Sequence, residues 1–346
     1  MTSRMLDLIR LLSEIPGPVG REELVQNAVR EELEKFGLEV EQDRIGNLSA
    51  TLEGTENHFA LVAHADEVGF LVSSIQDSGF LDVKWNTRGH LPDLRLIPGQ
   101  RVKVLVKDKS VPGCFCLKTA HIAGPEGKNK IPSKEEVFLD IGATTAEEVK
   151  EMGVNIGSPV VYDAQLQKQG HNLVGKSMDD RVGLTMMLMI AERLAKLSKD
   201  KRPTVTFVST VMEELGAKGA AVVAKKLDVD GAIILEIGLA DDHPGTSGEA
   251  NVGLGKGPVV VIKDSEVHYS HSQNEALLSI AEENNITVQR AVYHHYATDG
   301  LQFISQGQIV SVIGVPCRYS HSSFETVRPK DIIDSVELVS LFFQRK

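Results

Sequence analysis

From residue 181 to the end, short apolar runs alternate with segments of helical spacing, and this rhythm constrains the fold more than any other feature. RVGLTMMLMIAERLAKL reads as a helix, TVTFVST as a strand, LGAKGAAVVAKKL as a helix and GAIILEIG as a strand. GPVVVIK, TVQRAVYHH and QIVSVIGVP follow as strands, with SQNEALLSIAEENN and the terminal DIIDSVELVSLFFQ as helices. Strands that alternate with helices favour a mostly parallel sheet sandwiched by helices, an α/β class. Sheets of this kind gather their sites in the crevice at the carboxyl ends of the strands.

The first part of the chain fits the same layer. Residues 3–14 and 21–36 have helical spacing and are separated by Pro16, Gly17 and Gly20. IGNLSATLEG alternates as a strand, and HFALVAHADEVGFLV reads as a buried strand running into a loop. Between about 70 and 165 the texture changes to GFLDVKW, QRVKVLVKD, EVFLDIGA and SPVVYDA, separated by glycine, proline and charge. The expected organisation is therefore one α/β unit, residues 1–69 plus 166–346, carrying a smaller inserted β-rich domain at 70–165.

A net charge of -11 argues against a nucleic-acid footprint or an anionic membrane surface. Three cysteines without framework spacing suit a reducing compartment, so the expected localisation is cytoplasmic. The opening MTSRMLDLIRLLSEIPG is interrupted by Asp7 and Glu14, unlike a signal peptide, and no stretch approaches the roughly 18 apolar residues of a membrane span.

Ionisable residues recur just past the strand-like runs. His64 and Asp66 follow FALVA; Asp179 and Asp180 sit in GKSMDDRVG; Glu213 and Glu214 follow TVTFVSTVM; Glu236 ends AIIL; His321 follows QIVSVIGVP through CRYS. Five segments thus deliver imidazoles or carboxylates to one sheet edge, where an unpaired buried carboxylate would cost several kcal/mol. Divalent cations supply a reason. Imidazole nitrogen and carboxylate oxygen without thiolate suit zinc first, with cobalt or manganese as alternatives. One bridging carboxylate with ligands on either side would hold two such ions about 3.5–4 Å apart. Asp66, on the same side of an extended segment as His64, is placed to accept the second imidazole N–H. For the adjacent pair, alternation along an extended chain predicts a division of labour: Glu214 binds metal, and Glu213 faces the attacking water as general base.

AHADEVGF, GKSMDDRVG, MEELGAKGA, IILEIG and RYSHSSFE, in this order, resemble the five motifs of the M42 family of metallo-aminopeptidases, within the wider clan of di-zinc exopeptidases. The resemblance runs from the N-terminal helices to the C-terminal helix, and the insert falls where that family carries its extra domain. It implies that His64, Asp179 and Glu236 hold one metal and Asp179, Glu214 and His321 the other, with Asp179 bridging. It also implies Glu213 as base, Asp66 as support for His64, and a cis peptide between Asp179 and Asp180. Peptide substrates cleaved at their N-terminus and a tetrahedral twelve-subunit homo-oligomer follow from the same resemblance. Glu236 stands where the family more often has Asp, and Ala65 where a larger residue is common. Asp299, in ATDG, resembles a family segment near the substrate and is assigned no role.

Other features carry plainer readings. The Met186, Met187 and Met189 cluster is read as helix core. Cys114 and Cys116 are read as small buried thiols, and GLGKGP at 253–258 as a turn, because it lacks the full phosphate-loop pattern. Asp180 doubles as a candidate helix cap. The competing functions are another di-metal amide hydrolase of deacylase or carboxypeptidase type, a glycoside hydrolase, and a shell protein with an impaired site. A glycoside hydrolase needs two carboxylates flanking one bond but neither His64 nor His321, and an aromatic content of 5% counts against a sugar platform.

Overall fold

The computed structural model describes residues 2–88, 92–107, 109–127, 129–246 and 251–345. Its centre is four parallel strands in the spatial order Pro203–Thr210, Thr55–His64, Gly231–Leu239 and Val310–Arg318. Alternation decides which face each side chain takes. Leu61, Ala63, Ile233 and Leu235 join one apolar core, while Ala60, Val62, Ala232 and Ile234 join the other. Full burial of a Val, Leu or Ile side chain stabilises by about 1.5–3 kcal/mol, so a one-residue slip would forfeit both cores at once.

The helix Met178–Ala195 covers one face, packed against helices Thr2–Glu14, Glu23–Glu34 and Pro329–Phe342. It is buried nearly all round, including Met186, Met187 and Met189, which are core residues as read. On the other face lie Lys218–Lys226 and Gly300–Ser305. The mostly parallel sheet between helices is thus as the alternation indicated, with antiparallel flanks in addition. Leu48–Leu52 and Val40–Gln42 extend one side; Glu325–Val327, Asn172–Gly175 and Gln167–Gln169 extend the other. Several of these flanking strands span three residues, too few to show a period of two.

Six strands between Phe70 and Tyr162 close into a barrel. Its core is its own cluster, in which the Phe70 ring sits 4.7 Å from Phe115, 5.1 Å from Trp85 and 5.8 Å from Tyr162. Closure leaves no open sheet edge. Two contacts hook the barrel side to loops at the sheet's carboxyl edge: the Arg88 N–H donates to the Glu214 carbonyl at 2.8 Å, and the Ser323 hydroxyl donates to Gln100.

The 253–258 segment is a turn. Gly255 and Gly257 have φ of 83° and 86°, and their N–H groups donate to the two oxygens of Asp331 at 2.6 and 2.8 Å. The amides of this glycine-rich loop are therefore engaged by the protein's own carboxylate. Among the described residues, no helix is long and apolar enough to cross a membrane.

Candidate metal centre

The register of the central sheet brings the site together. Thr210 pairs with His64, so two neighbouring strands end level and their following loops emerge side by side. Glu236 lies near the carboxyl end of the next strand, opposite Gly314, and His321 comes just after the fourth strand ends at Arg318. Asp179 enters from the start of the long helix, before its backbone becomes helical: Asp179 and Asp180 keep non-helical angles, and the peptide between them is cis.

Asp179 is the hub. Its Oδ1 lies 3.0 Å from His64 Nε2, and its Oδ2 lies 3.5 Å from His321 Nε2. His321 Nε2 is also 3.2 Å from Glu214 Oε1, and His64 Nε2 is 3.8 Å from Glu236 Oε2. Ligand-type atoms of His64, Asp179 and Glu214 lie within 4.8 Å of one another, as do those of His64, Asp180 and Glu236. The structure therefore brings His64, Asp179, Glu214, Glu236 and His321 into one cluster. Asp66 and Glu213 adjoin it.

Asp66 is fully buried, with Oδ1 3.4 Å from His64 Nδ1. The same carboxylate accepts the N–H groups of Glu213 and Glu214, each at 2.9 Å. This arrangement corrects one local expectation. Glu213 and Glu214 do not alternate along a strand; they lie in a turn past Thr210, entered through Met212 at a φ of 57°. Their different directions come from the turn and from the Asp66 clamp.

Asp180 caps the helix as read, accepting the Gly183 N–H at 2.9 Å, while its other oxygen accepts the His64 N–H at 3.3 Å. Glu67 pins the entry to the same helix: it accepts from Gly17 N at 2.8 Å and from Lys176 Nζ at 2.6 Å, and its other near cation is Arg181 at 3.7 Å.

Burial pushes the Glu236, Asp180 and Glu213 carboxyls well above the usual range, and neighbouring carboxylates add to this. Against the opposing effect of burial, Asp179 and Asp66 raise His64, and Glu214 and Asp179 raise His321. Also against burial, the two imidazoles hold Asp179 below the usual range. The cluster is thus a set of nitrogen and oxygen donors with too little positive charge among them, and divalent cations fit it.

A cavity of about 320 Å³ opens on the cluster. Asp179, Glu213, Glu214, Glu236 and His321 line it, with Arg88, Asp93, Leu96, Leu239, His295 and Tyr296. Some partners escaped the sequence reading. Glu325 accepts the N–H groups of both Asp179 and His321; burial first, and then Asp179, push its carboxyl up to about 8. Its signal is an acid within the short strand-like stretch FETV. Asp299 accepts from the Thr210 hydroxyl beneath the Glu213 turn, and burial raises it to about 6. His295 also forms part of the cavity wall.

The sequence pattern of the M42 glutamyl aminopeptidase family matches residues 46–338. A putative aminopeptidase of Acetivibrio thermocellus is 32% identical over 337 residues, covering 97% of each chain. The structure of an aminopeptidase from the archaeon Desulfurococcus kamchatkensis superposes with a TM-score of 0.92 at 31% identity, covering 100% of this chain and 96% of that one. The TET1 peptidase of Pyrococcus horikoshii, which can assemble into a tetrahedron or a large octahedral shell, gives 0.88 at 28% identity, over 99% of this chain and 100% of that one.

Proposed function

This chain belongs to the M42 glutamyl aminopeptidase family and is a metal-using hydrolase of peptide bonds; from that premise we propose that it removes N-terminal residues from peptides with two divalent cations and Glu213 as general base. The observation that carries the reading is Asp179, whose two oxygens face two different imidazoles, as a bridging ligand's would. His64, Asp179 and Glu236 would hold one ion, and Asp179, Glu214 and His321 the other. Zinc is the first candidate, with cobalt or manganese as alternatives.

When bound, the ions supply Lewis acidity, acidifying water and polarising the scissile carbonyl. The chain's own residues do the rest. Glu213 is half-buried and lines the cavity, so its carboxylate can take a proton from the attacking water and return it to the leaving amine. Asp66 holds the Glu213 backbone and lies 3.4 Å from the His64 Nδ1, where a hydrogen bond from Nδ1–H would fix the tautomer that offers Nε2 to metal. The cavity wall from Leu96 to Tyr296 would receive the N-terminal side chain and keep water from it.

The residues 70–165, with their closed barrel, are read as a domain for assembly and substrate access. The likeness to shell-forming peptidases supports a homo-oligomer, a dodecamer in this reading; the cytoplasmic location rests on the cysteine usage alone. The test is metal removal by chelation followed by zinc, cobalt or manganese, read on a panel of aminoacyl substrates. Activity should vanish and return with metal; activity that survives complete removal refutes the proposal.

A further inference from the structure

Two of the candidate ligands depend on backbones with little local support. His321 has a φ of 65°, in the left-handed region that non-glycine residues seldom occupy, and Tyr319 shortly before it has a φ of 64°. Such conformations persist where surrounding structure over-determines them. Asp179, with φ of -78° and ψ of 106°, sits at a helix entrance without helical geometry.

Both N–H groups donate to one side chain. Glu325 Oε1 accepts from His321 at 2.7 Å, and Glu325 Oε2 accepts from Asp179 at 3.1 Å. Glu325 is 1% exposed. Its own main chain is registered against Gly175 on the strand that leads into the Asp179 loop. The residue therefore touches both loops through its backbone strand and again through its carboxylate.

We infer that Glu325 is a positioning residue of the metal centre, setting the separation between Asp179 and His321 by holding both main chains at once. The inference rests on the two-cation reading above. A carboxyl group suits the task because each of its two oxygens accepts one N–H, and bound cations nearby would favour its ionised form; an amide of the same shape would turn an NH2 group toward one of the two N–H groups. The ion held by Asp179, Glu214 and His321 depends on both anchored backbones, whereas the other depends on one. Loss of the carboxylate should therefore weaken the two ions unequally.

The experiment titrates metal-free wild type, Glu325→Gln and Glu325→Asp with zinc and with cobalt against a competing chelator. Circular dichroism monitors the fold, and visible absorption reports cobalt geometry. The expected result is a folded Glu325→Gln that binds one ion about 10–100-fold more weakly than wild type, with a changed cobalt spectrum. Glu325→Asp, which keeps both acceptors on a shorter arm, should fall between. Wild-type affinity and spectrum in folded Glu325→Gln overturn the inference even if its melting temperature drops, since a merely structural role moves only the latter. Should Glu325→Gln not fold, unchanged affinity in Glu325→Asp overturns it equally. A wild type that takes a single ion refutes the two-cation reading instead, and the inference is still judged by the difference between variant and wild type for that ion; a wild type that takes none overturns both.

Discussion

The Asp66 carboxylate accepts the backbone N–H of Glu213 at 2.9 Å while its other oxygen accepts that of Glu214 at the same distance. A fully buried anion thus fixes the turn that presents both acids, and the same anion faces the imidazole of His64. Asp66→Asn keeps the shape but replaces one acceptor by a donor aimed at an N–H. Expect kcat/KM to fall about 10–100-fold, with the metal content of the purified protein reduced as well. A variant with full activity would show that the clamp is dispensable.

As the proposed general base, Glu213 should respond differently to removal. Glu213→Gln preserves volume and hydrogen-bonding reach but cannot accept a proton. A drop of about 10²–10⁴-fold in kcat is expected, with metal content at the wild-type level by elemental analysis. Near-normal turnover with metal bound would assign the base elsewhere.

Gly183 is needed for space. A Cβ there would lie 2.1 Å from Asp180 Oδ2, on a carboxylate that also accepts the His64 N–H. Gly183→Ala must therefore displace Asp180. Overpacking of this kind costs about 1–3 kcal/mol, measurable by urea unfolding, and activity should fall with it because His64 shares the displaced partner.

Glu22 gives the fold a pH dependence away from the ligands. Burial first, and then the Asp66 charge, raise its carboxyl from 4.5 to about 7, and the charge of Arg181 also faces it. A raised acid favours the folded state while protonated, so its contribution is full below 4.5 and is lost as pH climbs through 7. Glu22→Gln keeps the Oε1 that accepts from Gly20 at 2.8 Å and Met212 at 3.2 Å, and it cannot ionise. In metal-free protein, urea midpoints at about pH 5 and about pH 8 should differ less in the variant than in wild type. Parallel curves would remove Glu22 from the account.

The sheet, its helical cover and the convergence of five segments were legible because apolar runs followed at once by acids or histidines leave few other arrangements. His64 and Thr210 pair at the ends of two strand-like runs, FALVAH and TVTFVST, and each run is followed within a few residues by acids. The Glu213 turn was not legible. Hydrophobic periodicity says nothing about a single left-handed residue such as Met212, and the Asp66 clamp joins residues distant in the chain. Glu325 was hidden for the same reason, its partners lying on two other segments of the fold. The antiparallel flanks were hidden by brevity.

The Arg88 N–H on the Glu214 carbonyl has a practical corollary for anyone seeking a minimal catalyst. Excising the barrel would strip a peptide-bond partner from a residue proposed to bind metal, so the trimmed protein would begin life with a slackened reaction centre. The inserted lobe and the chemistry beneath it stand or fall as one piece.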